Sequence, residues 1–90
     1  MPLGDISEWF RWIEREEPTT KAWSLVRTFI AETGDEPWRA PSMPRPDLSD
    51  QPIFEVRSAS LAIPGERVVF VLYRHDYESG VVDLISVTQR

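Results

Sequence analysis

The chain has 90 residues, of which 41% are hydrophobic and 11% aromatic, and this composition fits one folded domain rather than a disordered segment. The formal net charge is −5 and only one of the ten basic residues is lysine, which disfavours nucleic acid as a partner because phosphate binding needs clustered cations. With no cysteine and one histidine, thiol chemistry and multi-histidine metal sites are excluded, and we predict neither a metal nor a cofactor. Without a leader or a long apolar run, we expect a cytoplasmic protein that does not contact membranes.

A first helix is predicted near the amino terminus. Asp5 and Glu8 have the spacing of a reciprocal helix cap. Apolar residues then recur at the spacing of one helix face, and they are Ile6, Trp9, Phe10 and Ile13. Pro18 ends this helix, because proline cannot continue the hydrogen-bond ladder.

A second helix is expected to begin near Thr19 or Thr20. Its apolar face consists of Ala22, Leu25, Val26 and Phe29. Gly34 is a candidate left-handed stop. The two helices, joined by a short turn, form a helical hairpin.

Residues 35–52 contain five of the eight prolines, so neither a helix nor a central strand is compatible with this segment. We interpret it as an extended strap across the domain rather than a mobile loop. Trp38, Met43 and Leu48 are its candidate apolar anchors.

Three strands are predicted after the strap, at 53–61, 67–74 and 81–87, separated by turns at 63–66 and 75–80. The middle segment is nearly continuous in apolar residues, which is typical of a strand buried on both faces. Short connections make the neighbours antiparallel. The predicted architecture is therefore a single α+β domain over residues 1–90, in which a two-helix hairpin packs on a three-stranded antiparallel meander in the order ααβββ.

This order of elements resembles the RelE/ParE/HigB superfamily of toxins. The residues that carry the resemblance are Gly34, the strap at 37–52, Phe54-Glu55-Val56-Arg57, the strand at 67–73 and the apolar end from Leu84 to Arg90. The resemblance implies a small toxin that pairs with an antitoxin. Some members of the superfamily cleave messenger RNA in the ribosomal A site, and others inhibit DNA gyrase without cutting RNA.

The chain differs from the superfamily pattern in its first residues and in its charge. Members usually begin with a strand, whereas only five residues precede Ile6 here. A sheet without that strand would have an open edge, through which the protein could form a homodimer by strand addition, unless the strap covers the edge. Ribosome-directed members are typically basic, whereas this chain is acidic.

Two residues are candidates for acid–base chemistry. His75 is the one side chain whose ordinary pKa suits proton transfer near neutral pH, and Glu55 lies at a position of the resemblance. The alternative is that His75 is a histidine of a turn with no assigned partner, which is common and has no catalytic role. The chain end, Thr88-Gln89-Arg90, supplies no usual base.

Binding residues are predicted on the sheet and the strap. Arg57 and Arg67 could together hold a phosphate, or each could pair with a nearby glutamate. Tyr77 is a candidate for stacking, and Trp38 either pins the strap or lies exposed at a contact. The predicted binding set is Arg57, Arg67, Arg74, Tyr77, Arg90 and Trp38.

Two functions follow as the main hypotheses, and an ordinary small interaction module is a third. The first is a toxin-like protein that acts mainly by binding a macromolecular target, either the translation machinery or gyrase, with cleavage of RNA left open. The second is an acidic, phage-type or accessory inhibitor that blocks a host enzyme without catalysis. Both predict a protein partner, an antitoxin or a host target, and the acidic charge disfavours RNA.

Overall fold

The computed structural model describes residues 3–38, 41–48 and 52–89, and it is an α+β fold of two helices and one antiparallel sheet. The elements in chain order are α1 (Ser7–Glu16), α2 (Thr20–Asp35), β1 (Met43–Pro44), β2 (Phe54–Leu61), β3 (Val69–Asp76) and β4 (Val82–Gln89). The predicted helical hairpin and the predicted meander of three long strands are both present.

Helix α1 begins at a local turn made by Asp5. The Asp5 carboxylate accepts hydrogen bonds from the backbone N–H of Ser7, at 2.9 Å, and from its hydroxyl. Glu8 pairs with Arg11 instead of returning to cap the helix, so the predicted reciprocal cap is wrong. The helix ends where Glu17 adopts a left-handed conformation, directly before Pro18.

Helix α2 begins as predicted, with Thr19 as its cap. The Thr19 hydroxyl oxygen accepts a hydrogen bond from the N–H of Ala22 at 3.1 Å, and the hydroxyl donates to Glu66 at 2.7 Å. The helix continues through Gly34 to Asp35. The prediction of Gly34 as a left-handed stop is therefore wrong, and the glycine is buried inside the last turn.

The sheet has four strands in the order β1-β2-β3-β4, so the prediction of three strands is corrected. The additional strand, β1, belongs to the strap and pairs Met43 with Ser58 and Pro44 with Arg57. Proline is tolerated here because β1 lies at the edge of the sheet. Two residues are too few to show an alternating pattern, which is why the sequence did not reveal this strand.

The residues before α1 lie against the opposite edge of the sheet. Leu3 forms a parallel bridge with Val82, and the N–H of Gly4 donates to the carbonyl of Val82 at 2.8 Å. A Cβ atom on Gly4 would collide with the side chains of Asp83 and Val81, so the close approach needs glycine. This segment is a bridge rather than a strand, yet it covers the start of β4.

The helices cover one face of the sheet. Strand β3 buries every second residue, Val69, Val71, Tyr73 and His75, whereas Phe70 on the other face is 38% exposed. The prediction that this strand is buried on both faces is therefore wrong. The core below the helices consists of the buried residues Trp9, Trp12, Ala22, Val26, Phe29, Ile30, Ala59, Leu61, Ile63, Val69, Val71, Tyr73, Val82, Leu84 and Val87.

The Thr19 cap gives a direct test of the start of α2. We expect Thr19→Ala to lower the free energy of unfolding by about 1 kcal/mol, because one N–H of the first turn loses its acceptor. Urea denaturation monitored by circular dichroism measures the change. Thr20→Ala is the matched control, and an equal loss in both variants would contradict the capping role.

Candidate functional site

A polar cluster lies on the helix-covered face, at the end of the sheet where β3 finishes. In the antiparallel register, Glu55 of β2 is opposite His75 of β3, and Arg57 is opposite Tyr73. Directly opposite residues share one face of the sheet, with Cβ atoms about 5 Å apart. Register therefore brings these four side chains together, and we call Glu55, Arg57, Tyr73 and His75 the polar cluster.

Arg57 is the centre of this cluster and is buried, with 8% of its surface exposed. Its Nη1 donates to Glu55 at 2.9 Å, and its Nε donates to the Ser42 hydroxyl at 3.0 Å. Its Nη2 donates to the carbonyls of Ser42, at 3.1 Å, and Trp38, at 3.3 Å. These contacts use most of the five N–H groups of a guanidinium, so Arg57 holds the strap rather than an exposed ligand.

Tyr73 makes the second attachment of the strap. Its hydroxyl donates a hydrogen bond to the carbonyl of Pro37, while its ring packs edge-on against Phe29 at 6.3 Å between centroids. The predicted anchors of the strap, Trp38, Met43 and Leu48, are exposed instead. Among the described residues, the strap is thus attached through the carbonyls of Pro37, Trp38 and Ser42 and through the Ser42 hydroxyl.

An aromatic surface covers the cluster, and we define it as Trp38, His75 and Tyr77. The His75 ring lies 6.2 Å from the Trp38 ring and 5.2 Å from the Tyr77 ring, measured between centroids. His75 is 8% exposed, whereas Trp38 is 62% and Tyr77 is 55% exposed. A buried histidine therefore lies between two aromatic rings that face solvent.

The electrostatics keep Glu55 anionic. Desolvation raises its pKa, but hydrogen bonds from Arg57 and Tyr77 and the charges of Arg57 and His75 outweigh this effect, so the pKa is lowered overall. The pKa of Tyr77 is raised by desolvation and by its hydrogen bond to Glu55. The arrangement suits Glu55 as a hydrogen-bond acceptor or a base, and not as a proton donor.

A shallow groove of about 260 Å³ adjoins Glu55 and Tyr77. Its lining consists of Pro44, Arg45, Pro46, Pro52, Phe54, Glu55 and Tyr77. Arg45 binds Asp47 through two hydrogen bonds, at 2.8 and 3.0 Å. The groove is therefore walled by rigid prolines and aromatic rings beside one carboxylate.

Five of the predicted site residues meet at this end of the sheet, namely His75, Glu55, Arg57, Tyr77 and Trp38. Arg74 points to the opposite face, where it pairs with Asp83 at 3.0 Å and lies 4.4 Å from the Phe54 ring. Arg90 lies outside the described residues.

Arg67 is far from the cluster. It pairs with Glu16 at the end of α1, at 3.0 Å, and it lies six residues before Tyr73. Since Tyr73 is opposite Arg57, the two arginines are separated by roughly 20 Å along the strand direction. The hypothesis that Arg57 and Arg67 hold one phosphate together is therefore wrong.

Two residues of the site were absent from the predicted set. Ser42 escaped notice because a serine in a proline-rich segment has no distinguishing pattern. Tyr73 belongs to a segment whose apolar pattern predicts a buried ring, as the structure has it, but that pattern gives no sign of its hydroxyl bond. Once the register of β2 against β3 is known, the alternation of side chains between the two faces of the sheet places Tyr73 beside Arg57.

No group of three or more histidine or acidic side chains within residues 3–38, 41–48 and 52–89 is arranged to hold a metal ion. In the same part of the chain, neither helix has the length and hydrophobicity needed to cross a membrane.

No family model, curated protein or solved structure matches this chain. The resemblance to the RelE/ParE/HigB superfamily stays a prediction from the sequence.

The lowered pKa of Glu55 predicts a contribution to stability that is present above the ordinary carboxyl value of 4.5 and is lost as the pH falls through the lower folded-state value. We expect Glu55→Gln to flatten the dependence of unfolding free energy on pH between about pH 5 and about pH 3. Glu78→Gln is the control, since the Glu78 side chain forms no ion pair among the described residues. Equal slopes in the wild type and Glu55→Gln would refute this role.

The attachment of the strap to Tyr73 predicts a local effect of Tyr73→Phe. We expect the unfolding free energy to fall by about 1 to 2 kcal/mol, because a buried carbonyl loses its donor. Hydrogen exchange should rise within the strap while α1 stays protected. Ser60→Ala, which removes an exposed hydroxyl on the other face of β2, is the control, and unchanged exchange at the strap in Tyr73→Phe would exclude the attachment.

Proposed function

We propose that the protein is toxin-like, of the RelE/ParE type, and acts on a macromolecular target mainly by binding it through the aromatic surface. The observation that carries the proposal is the exposure of Trp38 and Tyr77, 62% and 55%, on either side of a buried His75. Exposed tryptophan and tyrosine are the residue types that dominate binding energy at protein interfaces.

The rigidity of the surface supports this role. Trp38 belongs to a strap whose backbone is held by Arg57 and Tyr73, and the Tyr77 hydroxyl bonds to Glu55. A segment whose backbone is already held loses less conformational entropy on binding than a free one. The contacts within the site therefore favour recognition by a preformed surface.

The state of Arg57 favours binding over catalysis. Cleavage of RNA requires cations at the developing phosphorane, and the guanidinium of Arg57 is occupied by Glu55 and the strap. Arg67 lies at the other end of the sheet and Arg74 on its other face. The cations are therefore not collected around one phosphate among the described residues.

The target that the resemblance favours is a component of the translation machinery or DNA gyrase in the cytoplasm, and the expected cellular partner is an antitoxin. A protein surface suits the charge better than RNA does, because a net charge of −5 repels a polyanion. Association with a second copy through a sheet edge is a less favoured mode, since Met43 and Pro44 cover part of β2 and Leu3 covers the start of β4.

A second candidate function is cleavage of RNA, and the observation in its favour is the register of β2 against β3. Glu55 and His75 are directly opposite on neighbouring strands, with the carboxylate anionic. In this scheme Glu55 takes the proton of the 2′-hydroxyl and His75 protonates the leaving 5′-oxygen. The strap would first have to release Arg57 for the phosphate.

The inhibitor hypothesis places the binding surface on the helices instead. Residues 1–36 hold eight acidic and four basic side chains, and both Glu14 and Glu17 are exposed. A basic partner would dock on this side, with a strong dependence on salt.

Expression in a bacterial host, with growth and target capture as readouts, tests the binding proposal. We expect Trp38→Ala and Tyr77→Ala each to weaken capture by at least about tenfold and to relieve growth arrest, because both remove aromatic contact area. Phe10→Ala is the matched control, since Phe10 is 57% exposed on α1. Loss of capture in Phe10→Ala alone would contradict the proposed surface.

The two other candidates give different outcomes in companion assays. With translating ribosomes, mapping of messenger RNA ends should show no new ends. New ends that disappear in both Glu55→Gln and His75→Gln would establish cleavage instead. If Glu14→Gln with Glu17→Gln, rather than the aromatic variants, weakens capture in a salt-dependent way, the inhibitor hypothesis replaces the toxin proposal.

A further inference from the structure

A second groove, also of about 260 Å³, lies on the helical side of the molecule. It is enclosed by the residues before α1, the start of α1 and the middle of α2, and its lining consists of Leu3, Ile6, Trp9, Arg27, Ile30 and Ala31. Five of these six side chains are apolar. The groove shares no residue with the polar cluster or the aromatic surface.

Arg27 is the one charged residue of the lining, and its guanidinium has no carboxylate partner within the described residues. The positions one turn away on α2 are Trp23, Ser24, Ile30 and Ala31, none of which is acidic. The guanidinium instead lies over the Trp23 ring, 5.7 Å from its centroid. A cation over an aromatic face is held in position while its N–H donors stay available.

The acidic residues beside the groove are already engaged. Asp5 accepts two hydrogen bonds from Ser7, and Glu8 pairs with Arg11. Ala31 leaves space where a larger side chain would fill the groove. The combination is an apolar cleft with one cation at its rim that pairs with no carboxylate of the described residues.

We propose that this groove binds a small ligand that has a short apolar chain ending in a carboxylate. The chain lies against Leu3, Ile6 and Trp9, and the carboxylate binds Arg27, whose planar donors match the two oxygens. Burial of the apolar chain supplies affinity, and Arg27 favours a negatively charged end group over a positively charged one. The net charge of −5 does not prevent binding, because charges more than about 8 Å away are screened at physiological salt.

Sodium octanoate, below its micelle concentration, is the probe. Amide chemical shifts in ¹⁵N-labelled protein should move in a saturable way at Leu3, Ile6, Trp9, Arg27 and Ala31, and not around Tyr77. Octylamine has the same chain with the opposite charge, and we expect it to bind at least about fivefold more weakly, since Arg27 repels it. Arg27→Gln should weaken octanoate by a similar factor, and Arg27→Lys should restore part of the affinity.

Lys21→Gln is the matched control, because Lys21 is a cation on the same helix that does not line this groove. Ala31→Leu, at an exposed position, tests the cleft itself by filling it, and it should reduce octanoate binding with the fold intact. The proposal is overturned if octanoate causes no saturable shifts in the groove. It is equally overturned if octylamine binds as well as octanoate, or if Arg27→Gln and Lys21→Gln have the same effect.

Discussion

The hydrogen bonds of Arg57 determine how this fold presents its candidate site. A guanidinium with 8% exposure is stable only when its donors are satisfied, and here Glu55, Ser42 and the carbonyl of Trp38 accept from it. Those contacts tie a proline-rich strap, which has few backbone donors of its own, to the central strands. By binding the carbonyl of Trp38, the buried Arg57 guanidinium holds the strap so that the exposed Trp38 ring lies beside His75.

Most of the fold could be predicted from local patterns. The 3.6-residue period of the helices and the Thr19 cap are local signals, and they placed both helices within a residue or two. Two of the failures share a physical origin, because each depends on a part of the chain distant in sequence. Strand β1 exists only by pairing with β2, and Gly34 lies in the last turn of α2 where it and Thr33 are buried by the rest of the domain.

The candidate site could be predicted only in part. Chemical type marked His75 and Tyr77, and the resemblance marked Glu55 and Arg57. Their meeting depends on the register of β2 against β3, which a single sequence does not specify. Arg67 was grouped with Arg57 because both lie at positions of the resemblance, and an antiparallel register then places them at opposite ends. The prediction for Arg74 failed for a simpler reason. Arg74 is adjacent to His75 in β3, and adjacent residues of a strand point to opposite faces of the sheet.

The distribution of charge links the two surfaces. Each described arginine of the strap and of the sheet with its flanking turn pairs with a carboxylate; these arginines are Arg45, Arg57, Arg67 and Arg74. They therefore do not form a cluster of unpaired positive charges. A polyanion would have to break those pairs before it could bind, and a neutral or weakly charged protein surface would not. Aromatic area and two cations of α2, Arg27 and Lys21, which pair with no described carboxylate, are then left for recognition, and Arg27 lies apart from the aromatic surface. We therefore propose that an acidic chain built this way selects its partners first by shape and apolar contact, and by charge at only a few positions.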